Sequence, residues 1–168
     1  MSTVVGISML CVFACAEKGV PPAPDPEPRV VLNELMADNA GTITDGGGVH
    51  YDWIEILNVG ETEIQLSDLA LSDRVDDPDP WVPQRSEALG PGELALIWAA
   101  GNDSAGMHAD FALKSEGETV VLHWSRGGGI IDSVTYEALN PDEAYARFPD
   151  GEGPWIRTDQ PTPGGSNS

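Results

Sequence analysis

Four aspartates close together form the strongest candidate for a metal site in this sequence. Asp73, Asp76, Asp77 and Asp79 lie in the stretch DRVDDPDP. A hard cation such as Ca²⁺ binds where one loop supplies several oxygen ligands, so the stretch favours calcium, and we expect no other cofactor. The spacing is not that of an EF-hand, and the prolines stiffen the loop. The alternative is a solvated acidic loop without a ligand.

Asp52, Glu55 and His50 could support acid–base chemistry, because they lie in and just before the segment DWIEILN. A hydrolase that used them would need a deep pocket in which polar groups converge. The other interpretation is that both carboxylates accept hydrogen bonds that fix a turn and a strand. Nothing in the sequence marks a nucleophilic triad, and the histidines lack metal-binding spacing, so we predict that the protein is not an enzyme.

Tryptophan is frequent, with five residues in a chain of 168. Exposed aromatic rings can stack on sugars, so carbohydrate binding is one alternative function. In a β-sandwich, however, we expect most tryptophans to pack in or against the core. The five are Trp53, Trp81, Trp98, Trp124 and Trp155.

Short β-strands must position all of these side chains. The segment from Asp52 to Asn58 is rich in β-branched and aromatic residues and ends in a turn signal, which is typical of a central strand. Its alternation places Ile54 and Ile56 on the core face. The run ELALIWAA, at 93–100, is the most apolar and is predicted to be buried on both faces. TVVLHW and IIDSVTY flank a glycine-rich turn and predict a hairpin.

Further strands are predicted at 29–35, 66–72, 111–113 and 145–149, and the chain after Trp155 is expected to end in a polar run-out. Gly and Pro punctuate these short runs throughout the chain. About seven to nine strands spaced in this way predict an all-β, immunoglobulin-like β-sandwich for residues 29–168.

Acidic residues dominate the charge of the chain. It has 28 Asp and Glu against 8 Lys and Arg, which gives a net charge of −20. A field of that sign repels phosphates and anionic lipid surfaces, so nucleic acid is excluded as a partner. The same charge attracts cations, although its simplest role is to keep the protein soluble.

A predicted targeting segment precedes the predicted domain. Residues 1–14 contain the apolar run VVGISMLCVFA, which is too short to span a bilayer and is typical of a signal-peptide core. The run ends in VFAC, which resembles a bacterial lipobox and implies a lipid on Cys15. By likeness to Gram-negative lipoproteins, Ala16 implies the outer membrane, on its periplasmic or cell-surface face. The alternatives are an ordinary secretory signal or a buried N-terminal element.

A proline-rich linker at residues 15–28 would hold the domain away from the membrane. The lipid would then be the only contact of this protein with the bilayer.

The order of motifs after this linker resembles the lamin-tail domain of exported bacterial proteins. The matching segments are LNELMADN (32–39), DWIEILN (52–58), LALSD (69–73), LGPG (89–92), IWAAG (97–101), GETVVL (117–122), DSVTY (132–136), ARFPDG (146–151) and PTPG (161–164). The resemblance implies an immunoglobulin-like sandwich without catalytic residues. It also implies a binding or anchoring role, often beside nucleases or phosphoesterases.

We therefore expect a lipid-anchored, exported, non-catalytic binding or scaffolding module of the bacterial cell envelope. Its partner is expected to be a protein or a cell-surface glycan. The alternatives are a carbohydrate-binding or calcium-binding surface module, and a hydrolase or the accessory domain of one. The nuclear role of animal lamins does not transfer, because the chain lacks a coiled-coil rod and is too acidic for DNA.

Overall fold

The computed structural model describes residues 28–85, 87–101, 106–126 and 129–167. The predicted signal peptide, Cys15 and nearly all of the linker lie outside these residues. Within them, no helix has the length and apolar character that a membrane crossing requires.

In this part of the chain eleven strands occur, and a short 3₁₀ turn, Leu66–Asp68, precedes the fourth. The strands are β1 (Val30–Met36), β2 (Asp52–Asn58), β3 (Ile64–Gln65), β4 (Leu69–Ser72), β5 (Ala88–Leu89), β6 (Leu94–Ala99), β7 (His108–Ala109), β8 (Thr119–Trp124), β9 (Ile130–Thr135), β10 (Ala144–Arg147) and β11 (Trp155–Thr158).

The strands form two main sheets and one small pair. The larger sheet has the order β11-β10-β1-β2-β6-β7, and only its β6–β7 pair is parallel. The smaller sheet has the order β4-β8-β9, and β3 pairs with β5. This architecture is the immunoglobulin-like β-sandwich that the sequence predicted, with more and shorter strands than expected.

The hydrophobic core lies between the two main sheets. Ile54 and Ile56 of β2 belong to it, as predicted, and Val120 and Leu122 of β8 join the same cluster from the smaller sheet. All four side chains are fully buried. Burial of each such side chain contributes about 1.5–3 kcal/mol, so alternate residues of these two strands carry much of the stability.

β2 is buried on both of its faces. Trp53 and Glu55 alternate with the core isoleucines, yet both are fully buried. Ile43, from the loop after β1, packs beside Trp53 on this outer face of the larger sheet. Burial on both faces was also predicted for β6, but Leu94 and Leu96 are only half-buried. That prediction was wrong because the covering segments lie over β2, and hydrophobicity alone does not show where they go.

Three further segments differ from the prediction. Residues 111–113, expected as a strand, lie in the connection between β7 and β8. The expected strand at 66–72 is a 3₁₀ turn followed by β4. The expected polar run-out after Trp155 contains β11 and a C-terminal segment, residues 159–167, that bonds to the sheet. By contrast, β2 and β8 have the predicted bounds.

Candidate functional site

β1 carries an extra residue, Asn33, where it pairs with β2. The register between the strands shifts at this residue, which makes it a β-bulge. The Asn33 side chain is fully buried and donates from Nδ2 to Glu55 Oε1 (3.1 Å) and to Asp150 Oδ1 (2.9 Å). Its Oδ1 accepts from the backbone N–H of Gly151 (3.0 Å). Asn33 therefore ties two neighbouring strands to the loop between β10 and β11.

The carboxylates of Glu34 and Glu55 hold the C-terminal segment. Thr162 donates to Glu34 from its backbone N–H (3.1 Å to Oε1) and from its hydroxyl (3.0 Å to Oε2). The backbone N–H of Gly164 donates to Glu55 Oε2 (2.6 Å). Because both glutamates point away from the core, this segment covers the outer face of the larger sheet.

Burial changes the protonation of both glutamates. It raises the pKa of Glu55 from 4.5 to about 7, against the hydrogen bonds from Asn33 and Gly164, and the nearby charge of Glu34 raises that pKa further. Burial also raises the pKa of Glu34, where the hydrogen bonds from Thr162 oppose the shift. The pair consequently holds a proton more readily than two exposed carboxylates would.

Asp150 and Asn167 connect the C-terminal segment to β1 and β10. Asp150 accepts hydrogen bonds from the Ser166 hydroxyl (2.5 Å) and the Asn167 backbone N–H (3.0 Å). Burial acts to raise the pKa of Asp150, but its hydrogen bonds outweigh that effect and lower it. The Asn167 Nδ2 donates to the backbone carbonyls of Asn33 (3.3 Å) and Arg147 (3.0 Å). The last described residue is therefore bonded to the first strand.

An ion pair between Arg147 of β10 and Asp132 of β9 joins the two main sheets. The Arg147 Nη2 lies 3.0 Å from Asp132 Oδ2, and both side chains are largely buried. The Leu32 N–H donates to Asp132 Oδ2 (3.0 Å), and its carbonyl accepts from Arg147 Nε (2.9 Å). One ion pair thus satisfies both backbone groups beside the bulge, where the ladder is interrupted.

Seven residues from these strands, their loops and the C-terminal segment form one connected set, which we call the polar network. Its carboxylates accept hydrogen bonds from donors of the same chain, so the arrangement fixes strands and the C-terminal segment. The expectation that Glu55 fixes hydrogen bonds is confirmed. The other six residues of the network were not identified from the sequence. The feature that could have indicated them is the presence of polar residues inside otherwise apolar strands. The network consists of Asn33, Glu34, Glu55, Asp132, Arg147, Asp150 and Asn167.

The three residues considered for acid–base chemistry have different partners. The Asp52 carboxylate accepts from the Asn39 N–H (3.1 Å), and burial raises its pKa to about 6. The exposed His50 ring contacts the carbonyl of Ile43 (2.8 Å). Glu55 belongs to the polar network. The structure therefore explains both carboxylates through the hydrogen bonds they accept, which is the interpretation that the sequence favoured for them.

Two of the four aspartates predicted as calcium ligands contact cationic side chains. Asp77 pairs with Arg74 (2.9 Å), and Asp73 lies 3.7 Å from the Lys114 ammonium. In the described part of the chain, no group of three or more His, Cys, Asp or Glu side chains is placed to hold a metal ion. Calcium at this loop stays a prediction, and a bound ion would compete with Arg74 for Asp77.

Three aromatic rings meet beside β6 and β7. The ring centroids of Tyr51 and His108 lie 5.4 Å apart at 83°, and those of Trp98 and His108 lie 6.4 Å apart at 25°. The His108 Nε2 also lies 3.1 Å from Asp45 Oδ2. All three rings are half-buried, so part of each remains open to a ligand.

The other tryptophans also pack in or against the protein. Trp53 and Trp81 are buried, whereas Trp124 and Trp155 are half-buried. Trp155 stacks on Tyr145 with the ring centroids 5.2 Å apart. The expectation of core or partly buried positions is therefore confirmed for all five.

One family model matches most of this chain. The model, described as Lamin Tail Domain, matches residues 23–138. The match includes the bulge, both glutamates and the acidic loop, and it ends just after β9. The residues that close the polar network from β10 onward lie beyond it. No curated protein matches the chain in sequence.

Proposed function

The chain belongs to the lamin tail domain family, and from that membership we propose a non-catalytic binding module, exported and anchored in the outer membrane by a lipid on Cys15. The domain would bind a protein partner, and residues 15–28 would act as a spacer. The partner is not a nucleic acid, because a net charge of −20 opposes phosphate binding.

The polar network is the observation that best supports a non-catalytic binding role. Glu34 and Glu55 are the most deeply buried carboxylates of the larger sheet, and their bonds go to Thr162 and Gly164 of the same chain. Groups that could have acted on a substrate therefore hold the domain together. A rigid sandwich that presents its loops is a suitable scaffold for binding.

The lipid anchor is tested by mass spectrometry of the mature N-terminus and by fractionation of the cells. The expected peptide begins at an acylated Cys15. Cys15→Ala should move the protein out of the membrane fraction, whereas Cys11→Ala should leave it there. An unmodified peptide spanning Ala14 to Glu17 would contradict the anchor and leave the binding role standing.

The binding role is tested by affinity capture from envelope extract with the full chain as bait. An unrelated protein of similar negative charge serves as the control for ionic background. We expect a protein captured in stoichiometric amount by this chain alone. Hydrolysis of a phosphoester or glycosidic substrate by the purified chain, lost in Glu55→Gln, would instead support the hydrolase alternative and overturn the proposal.

Carbohydrate binding is the second candidate, and the cluster of Tyr51, Trp98 and His108 favours it. Half-buried aromatic rings can offer an apolar face to a sugar, with Asp45 as a nearby hydrogen-bond acceptor. A glycan array tests this candidate. Signals that Trp98→Ala removes and that Trp124→Ala retains would support it, and an array at background would reject it.

A further inference from the structure

A groove of about 480 Å³ lies between the acidic loop and the outer side of the smaller sheet. Ala70 of β4 and His123 of β8 line it from the sheet, and Ile130 lines it where β9 begins. The loop side is lined by Val75, Asp77, Pro78, Asp79, Pro80 and Val82. Its volume lies within the ~300–1,000 Å³ that is usual for ligand pockets.

Exposed apolar side chains concentrate in this groove. Among the described residues, six large hydrophobic side chains are exposed, and Val75, Val82 and Ile130 line the groove. Val75 is 53% exposed and Ile130 is 51% exposed. These residues come from separate parts of the chain, so the fold, and not one apolar run, assembles the patch. Exposed apolar side chains that line one groove are candidates for contact with a partner.

Negative charge lies at one rim of the groove. Asp77 and Asp79 line it directly, and Asp76 adjoins them in the chain. The guanidinium of Arg74 pairs with Asp77 and offsets part of that charge. The groove therefore combines apolar contacts with an acidic rim, on a molecule of net charge −20.

The wall formed by β8 and β4 is held in place by internal contacts. The His123 Nε2 lies 3.1 Å from the Ser72 hydroxyl, and the Ser72 hydroxyl donates to the Arg74 carbonyl (2.8 Å). Burial lowers the pKa of His123 against the opposing effect of the Asp77 charge, and so favours the neutral imidazole. The wall is consequently preformed and adds no positive charge that would oppose the acidic rim.

Trp124 lies between this groove and a neighbouring cavity and lines both of them. The second cavity has a volume of about 440 Å³, and its lining includes Arg29 and Arg126 as well as Glu63 and Asp68. The acidic rim is therefore confined to the first groove, and a basic occupant would make its charged contacts there.

We propose that the groove lined by Val75, Val82 and Ile130 is the docking surface for an extended peptide segment with aliphatic and Lys or Arg side chains. The proposal rests on the binding role proposed above and names its surface and the chemistry of its partner. Aliphatic side chains would cover the exposed valines and isoleucine, and basic side chains would meet the acidic rim.

The test uses the ¹⁵N-labelled full chain and three short synthetic peptides in buffer with a chelator. The first alternates Lys with Val and Ile around a central Pro, the second replaces each Lys with Glu, and the third replaces each aliphatic residue with Ser. Only the first should bind, with shift changes at the groove. Val75→Ser with Ile130→Ser should weaken it about tenfold, and Asp79→Asn by less.

Matched controls are available because other exposed apolar residues lie elsewhere. Val49→Ser and Ile156→Ser should not change the affinity, since neither residue lines the groove. Equal binding of the Ser-containing peptide would show charge attraction alone and overturn the proposal. Absence of binding, or shifts centred on Ile156, would overturn it as well.

The two proposals fail in distinguishable ways. If the full chain and the Val75→Ser, Ile130→Ser variant capture the same envelope protein equally, the groove is the wrong surface and the binding role stands. If neither captures any protein, the binding role itself fails. Unfolding curves of the variant confirm that it folds, which we expect because both positions are exposed.

Discussion

Glu34 and Glu55 lie directly opposite one another on β1 and β2, and both side chains are fully buried. Like charges in that position repel, and burial disfavours the ionised form of each. Donors from Asn33, Thr162 and Gly164 offset these costs. The pair therefore couples the C-terminal segment to the protonation of the sheet.

Glu55→Gln should flatten the pH dependence of stability. The pKa of Glu55 is about 7 in the folded chain against 4.5 ordinarily, so its protonation stabilises the fold below pH 4.5 and that contribution is lost as the pH rises through 7. The loss amounts to about 3 kcal/mol. Urea unfolding at both ends of this range should show the stability advantage of the natural chain over the variant shrinking by that amount. Exposed Glu61→Gln is the control, and an advantage independent of pH would contradict the assignment.

Asn167→Ala should destabilise the domain by about 2–3 kcal/mol. The substitution leaves the backbone carbonyls of Asn33 and Arg147 without the donor that now satisfies them. Asn140→Ala is the matched control, since Asn140 is exposed and bonds only locally to Glu143. Chemical denaturation compares the two. Equal effects would mean that the C-terminal segment contributes little to stability.

Gly151→Ala should cost more stability than Gly164→Ala. Both glycines have positive φ, +71° and +75°, so alanine is strained at either position by about 1–2 kcal/mol. At Gly151 the added Cβ would also lie 2.7 Å from Val59 Cγ1, whereas nothing lies within 4 Å at Gly164. Melting temperatures measured side by side test this. If the two variants melt together, the crowding at Gly151 relaxes at no cost.

Arg147→Ala should destabilise the domain by about 2–3 kcal/mol, because it leaves the largely buried Asp132 without its cation. It also removes the donor to the Leu32 carbonyl beside the bulge. Arg126→Ala is the comparison, since the Arg126 side chain is 56% exposed beside Asp68, and such a surface pair contributes less than about 1 kcal/mol. A second substitution, Asp132→Asn, should recover part of the loss in the Arg147 variant, and no recovery would argue against the ion pair as the cause.

Calcium at the acidic loop should raise the melting temperature if the predicted site forms. Millimolar Ca²⁺ is compared with chelator at constant ionic strength, because a bound ligand stabilises the folded state. Asp76→Asn with Asp79→Asn should abolish the shift, and Arg74→Ala should enlarge it by freeing Asp77. An unchanged melting temperature would reject the site.

β-branched and aromatic content between turn signals was enough to predict the strands that form the core. Ile54 and Ile56 occupy the core face of β2 that was predicted for them, and a hairpin turn sets β8 against β9. These are local features that one stretch of sequence contains in full, which is why the bounds of β2 and β8 could be predicted.

The polar network could not be predicted in this way because its contacts join distant segments. Glu34 and Glu55 interrupt apolar strands, and an interrupted strand usually means an exposed face. What buries them is a Pro-, Gly- and Ser-rich segment whose composition is typical of an unstructured end. Hydrogen bonds, which leave no period in a sequence, decide its position.

The contact between Asn167 and the Asn33 carbonyl spans 134 positions of the chain. During synthesis, β1 and β2 emerge well before Thr162 and Gly164, whose backbone N–H groups donate to Glu34 and Glu55. The larger sheet can therefore pair long before its outer face is closed. A chain that stops before Thr162 leaves both glutamates without these backbone donors and without the segment that covers them.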